Sequence, residues 1–277
     1  MTQDETRPFK STRINSMEPD TFDQSQPRIG RRESEPHSLE VGYLHDVLES
    51  NFPNHHVLLD LHHYFQVDGD EVDIQFDVSF FLGLSIPYTL SSYRAIDYQN
   101  RVPALAINIM SKSTWRADLS ENLDLCGMLR IPVYIVFAPF DVATKFYRPP
   151  FARVYQLQTN GSYSIKEIRS NCVDKDGTII AANLIDLDAN IPFRIGIEEL
   201  VSKHEKVQNR YRLVPVHQHS LERLPTRIEQ EKQRAEQERQ RAEQEKQRAE
   251  QERQRAEQEK QRAEKYLQLL KDHGIEP

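Results

Sequence analysis

Three polar residues stand inside apolar runs that a folded chain would bury. Asp77 interrupts "VDIQFDVSFFLG", Asn108 interrupts "ALAINIM", and Asn122 lies on the helical stretch "DLSENLDLCGMLR". A carboxylate on one strand, a polar residue on the next and a third facing in from the following helix can build a small concave polar site. What such a site can do depends on its charge. A hard divalent cation wants charged oxygens, and phosphodiester hydrolysis needs an activated water beside it. One carboxylate and two amides supply less than that chemistry asks for.

Neighbouring charges could substitute. Lys112 follows the strand of Asn108, Glu121 adjoins Asn122, and Glu71 and Asp73 lie upstream of Asp77. Glu121 is rotated about 100° from Asn122 on a helix, so it points elsewhere unless the helix shifts. In "NHHVLLDLHHYF", strand periodicity puts His56 with His62 and His55 with His63 on common faces, but about 20 Å or more apart. That is too far for one metal, and these read as half-exposed strand histidines. His217 and His219 lack further ligands nearby. Trp115, the single tryptophan, reads as a plug for the cleft in preference to a stacking platform for a base. There is no phosphate-cradling glycine loop, nucleophile elbow or HExxH helix.

The elements that must position these residues follow from periodicity. "SLEVGYLHDVLES" carries a helical apolar stripe, with Ser38 as its cap. "HVLLDLHHYFQV" and "VDIQFDVSFFLG" form a hairpin. "ALAINIM" is a strand, the helix opens at Asp118, and "PVYIVFAP" is a continuous apolar run suited to a central strand. "ARVYQLQ" and "SYSIKEI", joined at "TNG", form a further hairpin, and a strand-and-turn region around "GTIIAANLIDLDANIPFRIGIEEL" closes the domain.

The α-β-β-β-α-β order with these polar positions resembles the core of the PD-(D/E)XK nucleases and, more narrowly, the Uma family of restriction endonucleases. "FDVSFFLG", "PALAINIMSKST", "RADLSENLDLC" and "PVYIVFAP" match that family's ordered segments over about residues 39 to 200. The resemblance implies an α/β, restriction-endonuclease-like α-β-β-β-α-β core with an added β-hairpin. It implies a Mg²⁺-dependent DNA endonuclease in which Asp77 holds the metal. Asn108 stands where the family has glutamate, Asn122 where it has the water-positioning lysine, and Ala104 where it has aspartate. The expected function is therefore a catalytically degenerate domain acting in binding or assembly. The rival is an active endonuclease with ligands relocated to Lys112 or Glu121, and a third reading makes the C-terminal helix the working part.

Composition bounds the rest. Residues 1–37 mix Pro, Ser, Gln and charges with almost no aliphatic residues and read as a disordered leader. Residues 38–220 hold 16 basic and 22 acidic residues. That balance argues against broad affinity for phosphate backbones while allowing a local basic groove. Cys126 and Cys172 support neither a disulfide framework nor a zinc ribbon. With no run of eighteen apolar residues and no secretory signal, a soluble cytoplasmic protein is expected, with DNA as the implied partner and no membrane association.

Residues 221–277 turn abruptly to a seven-residue repeat, "RAEQEKQ RAEQERQ", free of Gly and Pro from Thr226 to His273. A helix of roughly 65–75 Å is expected. Its seam is weak: alanines at 235, 242, 249, 256 and 263 are each followed four residues later by Arg239, Lys246, Arg253, Lys260 and Leu267. Two outcomes stay open, a solvated single helix laced by pairs such as Glu238–Arg241 and Arg234–Glu238, or weak homodimerisation aided by Leu267 and Leu270.

Overall fold

In the structure, a computed structural model, residues 35–86, 89–201 and 210–272 are described. They fall into two units, one ending at Thr226 and one beginning at Arg227.

Helix α1, Glu35–Asn51, buries His37, Glu40, Val41, Leu44, Val47 and Leu48. It begins before the Ser38 cap expected from sequence. His37 lies one turn ahead of Val41 on the same inward stripe, so burying that stripe extends the helix backwards. Residues 35–37 are thus helical rather than leader; residues 1–34 lie outside the described residues. Strands β1 (His56–Val67) and β2 (Asp70–Phe81) form the hairpin. Its two-residue turn has positive φ at Asp68 (52°) and Gly69 (94°), matching the right-handed strand twist.

β3 (Tyr93–Arg94) and β4 (Leu105–Ile109) precede two short helices, α2 (Trp115–Leu119) and α3 (Glu121–Met128), and β5 (Val133–Ala138). The single helix expected to open at Asp118 is therefore two helices broken at Ser120, and Asp118 is inside the first. β6 (Phe151–Leu157) and β7 (Tyr163–Ile168) extend the sheet to seven strands, ordered β3-β1-β2-β4-β5-β6-β7. β4 and β5 run parallel, as a helical crossover requires. The chain is thus a mixed α/β protein with one large sheet, elements in the order α-β-β-β-α-β around it, and a long C-terminal helix. The closing region does not join the large sheet. β8 (Ile185–Asp186), β9 (Phe193–Leu200) and β10 (Arg210–His217) form a second, three-stranded sheet.

One face of the large sheet packs Val78, Phe80, Ile107 and Ile135 against α1 and against Phe193, Ile195 and Leu213 of the small sheet. The other face packs Ile74, Phe76, Ala106 and Tyr134 against Leu125 and Cys126 of α3. Burying α1 between two sheets also buries Glu40. Its carboxylate accepts the Leu213 N–H at 2.6 Å and lies 3.7 Å from Arg212 Nε, while burial pushes its pKa up to about 8.

His63 corrects the sequence reading of half-exposed histidines. It is fully buried, with Nδ1 donating to Leu61 O at 2.8 Å and Nε2 bonded to the Ser79 hydroxyl at 2.9 Å. Burial lowers its pKa to about 4, so it is a neutral core residue. His62, 45% exposed, pairs with Asp73 at 2.9 Å.

In the second unit, α4 spans Arg227–Asp272. Its recurring ties are not the pairs expected from charge. Gln240, Gln247, Gln254 and Gln261 each donate to the glutamate four residues earlier, at 3.1–3.5 Å, and Arg239 pairs with Glu236 at 3.0 Å. Leu267 is 46% exposed, and the side chain of Leu270 lies outside the described residues. Such i,i+4 links contribute a few tenths of a kcal/mol each, and a bulky seam is lacking. A peptide of residues 227–272 is therefore expected to be mainly helical by circular dichroism, with a melting midpoint independent of concentration. A midpoint that rises with concentration would show self-association instead.

Candidate functional site

The site forms where the sheet changes face. In a regular strand, residues two apart share a face. In β2, Phe76 packs on the α3 side and Val78 on the α1 side, so the strand rotates at Asp77. Its neighbour yields at the same place. Asp60 lies opposite Asp77, between the pairs Leu59–Val78 and Leu61–Phe76; the two form no backbone pair, and Asp60 has φ of 46°. Such a disruption re-aims a side chain. Gln75 donates to the Asp60 carboxylate beside it.

On the other side of Asp77, the β2–β4 ladder ends at Val78–Ile107. Side chains take over from there. Ile109 N–H donates to Asp77 Oδ2 at 2.6 Å, and Asp77 N–H donates to Asn108 Oδ1 at 3.4 Å. The splayed strands are held by the candidate site itself, and Asp77 and Asn108 are neighbours as their strands predict.

Two residues that sequence reasoning did not place in the site complete it. Asp118, 2% exposed, accepts Asn108 Nδ2 at 2.9 Å and Asn122 Nδ2 at 3.0 Å on the same oxygen, Oδ1. Its Oδ2 is buried without a hydrogen-bond partner. The Tyr134 hydroxyl donates to the Asp118 carbonyl at 2.9 Å and ties the end of α2 to β5. On the opposite side, His37 Nε2 lies 3.2 Å from Asp77 Oδ2. A polar chain thus crosses the sheet from His37 through Asp77 and Asn108 to Asp118 and Asn122. Asp118 had a signal in the sequence: it precedes Asn122 by four residues, so an inward Asn122 brings Asp118 inward on the same helical face. His37 had one in its spacing to Val41 and Leu44.

Burial, then the neighbouring Asp77 carboxylate, push the Asp118 carboxyl up to about 7; hydrogen bonding from Asn108, Thr114 and Asn122 opposes this only in part. Near neutral pH the group is therefore part protonated. The substitutes named from sequence stand apart. Lys112 is exposed in the turn after β4 and Glu121 is exposed at the start of α3, while the adjacent Asn122 is buried.

This arrangement does not fit a Mg²⁺ centre. Asp77 Oδ2 already faces Ile109 N–H and His37. Both asparagines turn their amide donors, not their oxygens, toward Asp118. A hard cation needs several convergent oxygens, and among the described residues no group of three or more His, Cys, Asp or Glu side chains could hold a metal. No helix among the described residues is long and apolar enough to cross a membrane.

Comparison with known proteins gives distant similarities. A family described as a Helicobacter pylori protein of unknown function, DUF874, matches residues 156–274, less than half of the chain and including the whole charged repeat. Among curated proteins nothing matches. Among solved structures, the chain is similar to a candidate nuclease belonging to DUF820 from Anabaena variabilis. That similarity is 18% in identity with a TM-score of 0.37, over 51% of this chain and 71% of that one. In this chain, β2, β4, α2 and α3 converge on one polar point beside the large sheet.

Proposed function

We propose that the globular unit is a Uma-type, restriction-endonuclease-like domain that has given up hydrolysis and acts by binding or assembly. The observation that carries this reading is the double donation of Asn108 and Asn122 to one oxygen of Asp118. Where the family pattern has a glutamate and a lysine beside the strand aspartate, this chain has a hydrogen-bonded cluster that closes on itself. A part-protonated Asp118 needs no cation to neutralise it, and Asp77 has a neighbouring histidine. The charged helix α4 belongs to the same proposal as a solvated single helix.

A second reading keeps an active Mg²⁺-dependent endonuclease, and the unpartnered, buried Oδ2 of Asp118 beside Asp77 favours it. Nuclease assays with calorimetry separate the two. The full chain is expected to leave supercoiled and linear DNA intact with Mg²⁺ or Mn²⁺, and to give no heat of binding on titration with either metal. Cleavage that is lost in both Asp77→Ala and Asp118→Ala would sink the binding reading.

A further inference from the structure

Away from the polar cluster, aromatic and cationic side chains alternate along one ridge. Arg116 lies 4.3 Å over the Trp115 ring, and Trp115 contacts Tyr147 at 5.6 Å between ring centroids. Tyr147 contacts Phe151 at 5.3 Å, and Arg153 and Arg169 stack over Phe151 at 5.7 and 4.3 Å. Arg169 also donates to the Phe146 carbonyl at 2.7 Å, and Lys145 lies 5.6 Å over the Phe146 ring.

The charges on this ridge do not cancel. Arg153 and Arg169 share Glu167, and Arg148 pairs with Asp141. Two carboxylates therefore face five cations: Arg116, Lys145, Arg148, Arg153 and Arg169. The excess stands on a domain that is acidic as a whole, with 16 basic and 22 acidic residues over residues 38–220. Phe146 is 68% exposed between Lys145 and Tyr147, although a fold gains nothing by leaving a large apolar ring in water. Trp115, read from sequence as a plug, is half-buried and carries its own arginine.

We propose that this ridge binds single-stranded nucleic acid, with the unpaired cations Arg116 and Lys145 on phosphates and the exposed ring of Phe146 as a stacking platform for bases. The inference rests on the binding reading above and names its partner. Interleaved aromatic and basic side chains suit single strands, because every base offers a π-face and every linkage a charge. An acidic peptide would satisfy the cations and leave the rings unused. None of these residues belongs to the Asp77–Asp118 cluster, so occupying the ridge requires no metal and no hydrolysis.

The test is fluorescence anisotropy of the full chain with labelled oligothymidylate, a duplex of mixed sequence and polyglutamate as competitor, all in chelator so that cleavage cannot contribute. Oligothymidylate is expected to bind more tightly than the duplex, with log K falling against log salt at a slope of about −2 for about three phosphates. Phe146→Ala, at an exposed position, should weaken binding roughly tenfold with the slope unchanged. Arg116→Gln with Lys145→Gln should flatten the slope by about one unit. Unchanged circular dichroism would show that the variants are folded. Binding indifferent to all three substitutions, a preference for duplex, or equal displacement by polyglutamate would overturn the proposal. These outcomes are independent of the nuclease assay, so a failed ridge and a failed hydrolysis reading are told apart.

Discussion

Asn108→Glu is expected to make the stability of the domain depend on a divalent cation. The substitution removes the amide that donates to Asp118 Oδ1 and brings a third carboxylate to Asp77 and Asp118 in a buried setting. An uncompensated buried charge costs roughly 3–5 kcal/mol. For a domain of this size each kcal/mol shifts the melting temperature by about 2–4 °C, so a fall of roughly 10 °C is expected in chelator. The three carboxylates then form an oxygen cluster that a hard cation can join. Mn²⁺ or Mg²⁺ at a hundredfold excess over its dissociation constant should return about 2.7 kcal/mol. Adding Asn122→Lys supplies the cation that the family pattern uses on water, and some metal-dependent cleavage of DNA is expected from the double variant. Differential scanning calorimetry with and without metal reads the first effect. A melting temperature of Asn108→Glu that metal leaves unmoved would show that the cluster cannot open to hold a cation.

The second large effect is on pH. Asp118 and Glu40 hold their protons in the folded state to about 7 and about 8, against ordinary values of 3.8 and 4.5. As pH rises, the unfolded chain ionises first, so the stability each acid contributes is full below its ordinary value and is lost up to its folded one. At 1.36 kcal/mol per unit, the loss is roughly 4 kcal/mol for each group. His63 acts in the opposite sense. With a folded value of about 4 against 6.5, it stays neutral while the unfolded chain protonates, so stability falls as pH drops from 6.5 toward 4. Above about pH 6.5 only the two acids act, and denaturant midpoints should fall steadily to about pH 8. Asp118→Asn and Glu40→Gln mimic the protonated forms. Each should be stabilising by only about 1 kcal/mol at pH 5 and by roughly 4 kcal/mol at pH 8. Equal stability differences at the two pH values would mean that neither acid carries its proton into the folded state.

The residues of β4 and β5 announce their strands as short runs of apolar side chains bounded by turns, and β2 announces itself by the alternation of apolar with polar residues. The helical crossover between β4 and β5 goes with their parallel pairing, while the antiparallel pairing of β2 with β4 places Asn108 on the strand beside Asp77. The 46-residue helix α4 is equally legible, since no residue in its repeat opposes a helix.

Periodicity reports which side of an element is apolar; it is silent on what a polar side chain meets across the fold. Asp118 reads locally as a helix cap, and becomes a buried carboxylate because Tyr134 and the break at Ser120 hold α2 against β5. Ser38 reads as the first cap of α1, and His37 enters the helix because α1 is clamped between the large sheet and a second sheet that the sequence presents only as a closing strand-and-turn region. The rotation at Asp77 requires β1 and β2 to yield together at Asp60 and Asp77, a coupling between residues 17 positions apart that neither strand pattern contains. The sequence by itself thus determined the main elements, their order and a candidate site of one carboxylate, Asp77, and two amides, Asn108 and Asn122. Only tertiary structure decided that the two asparagines close on Asp118, because a hydrogen bond between elements depends on where packing brings their ends.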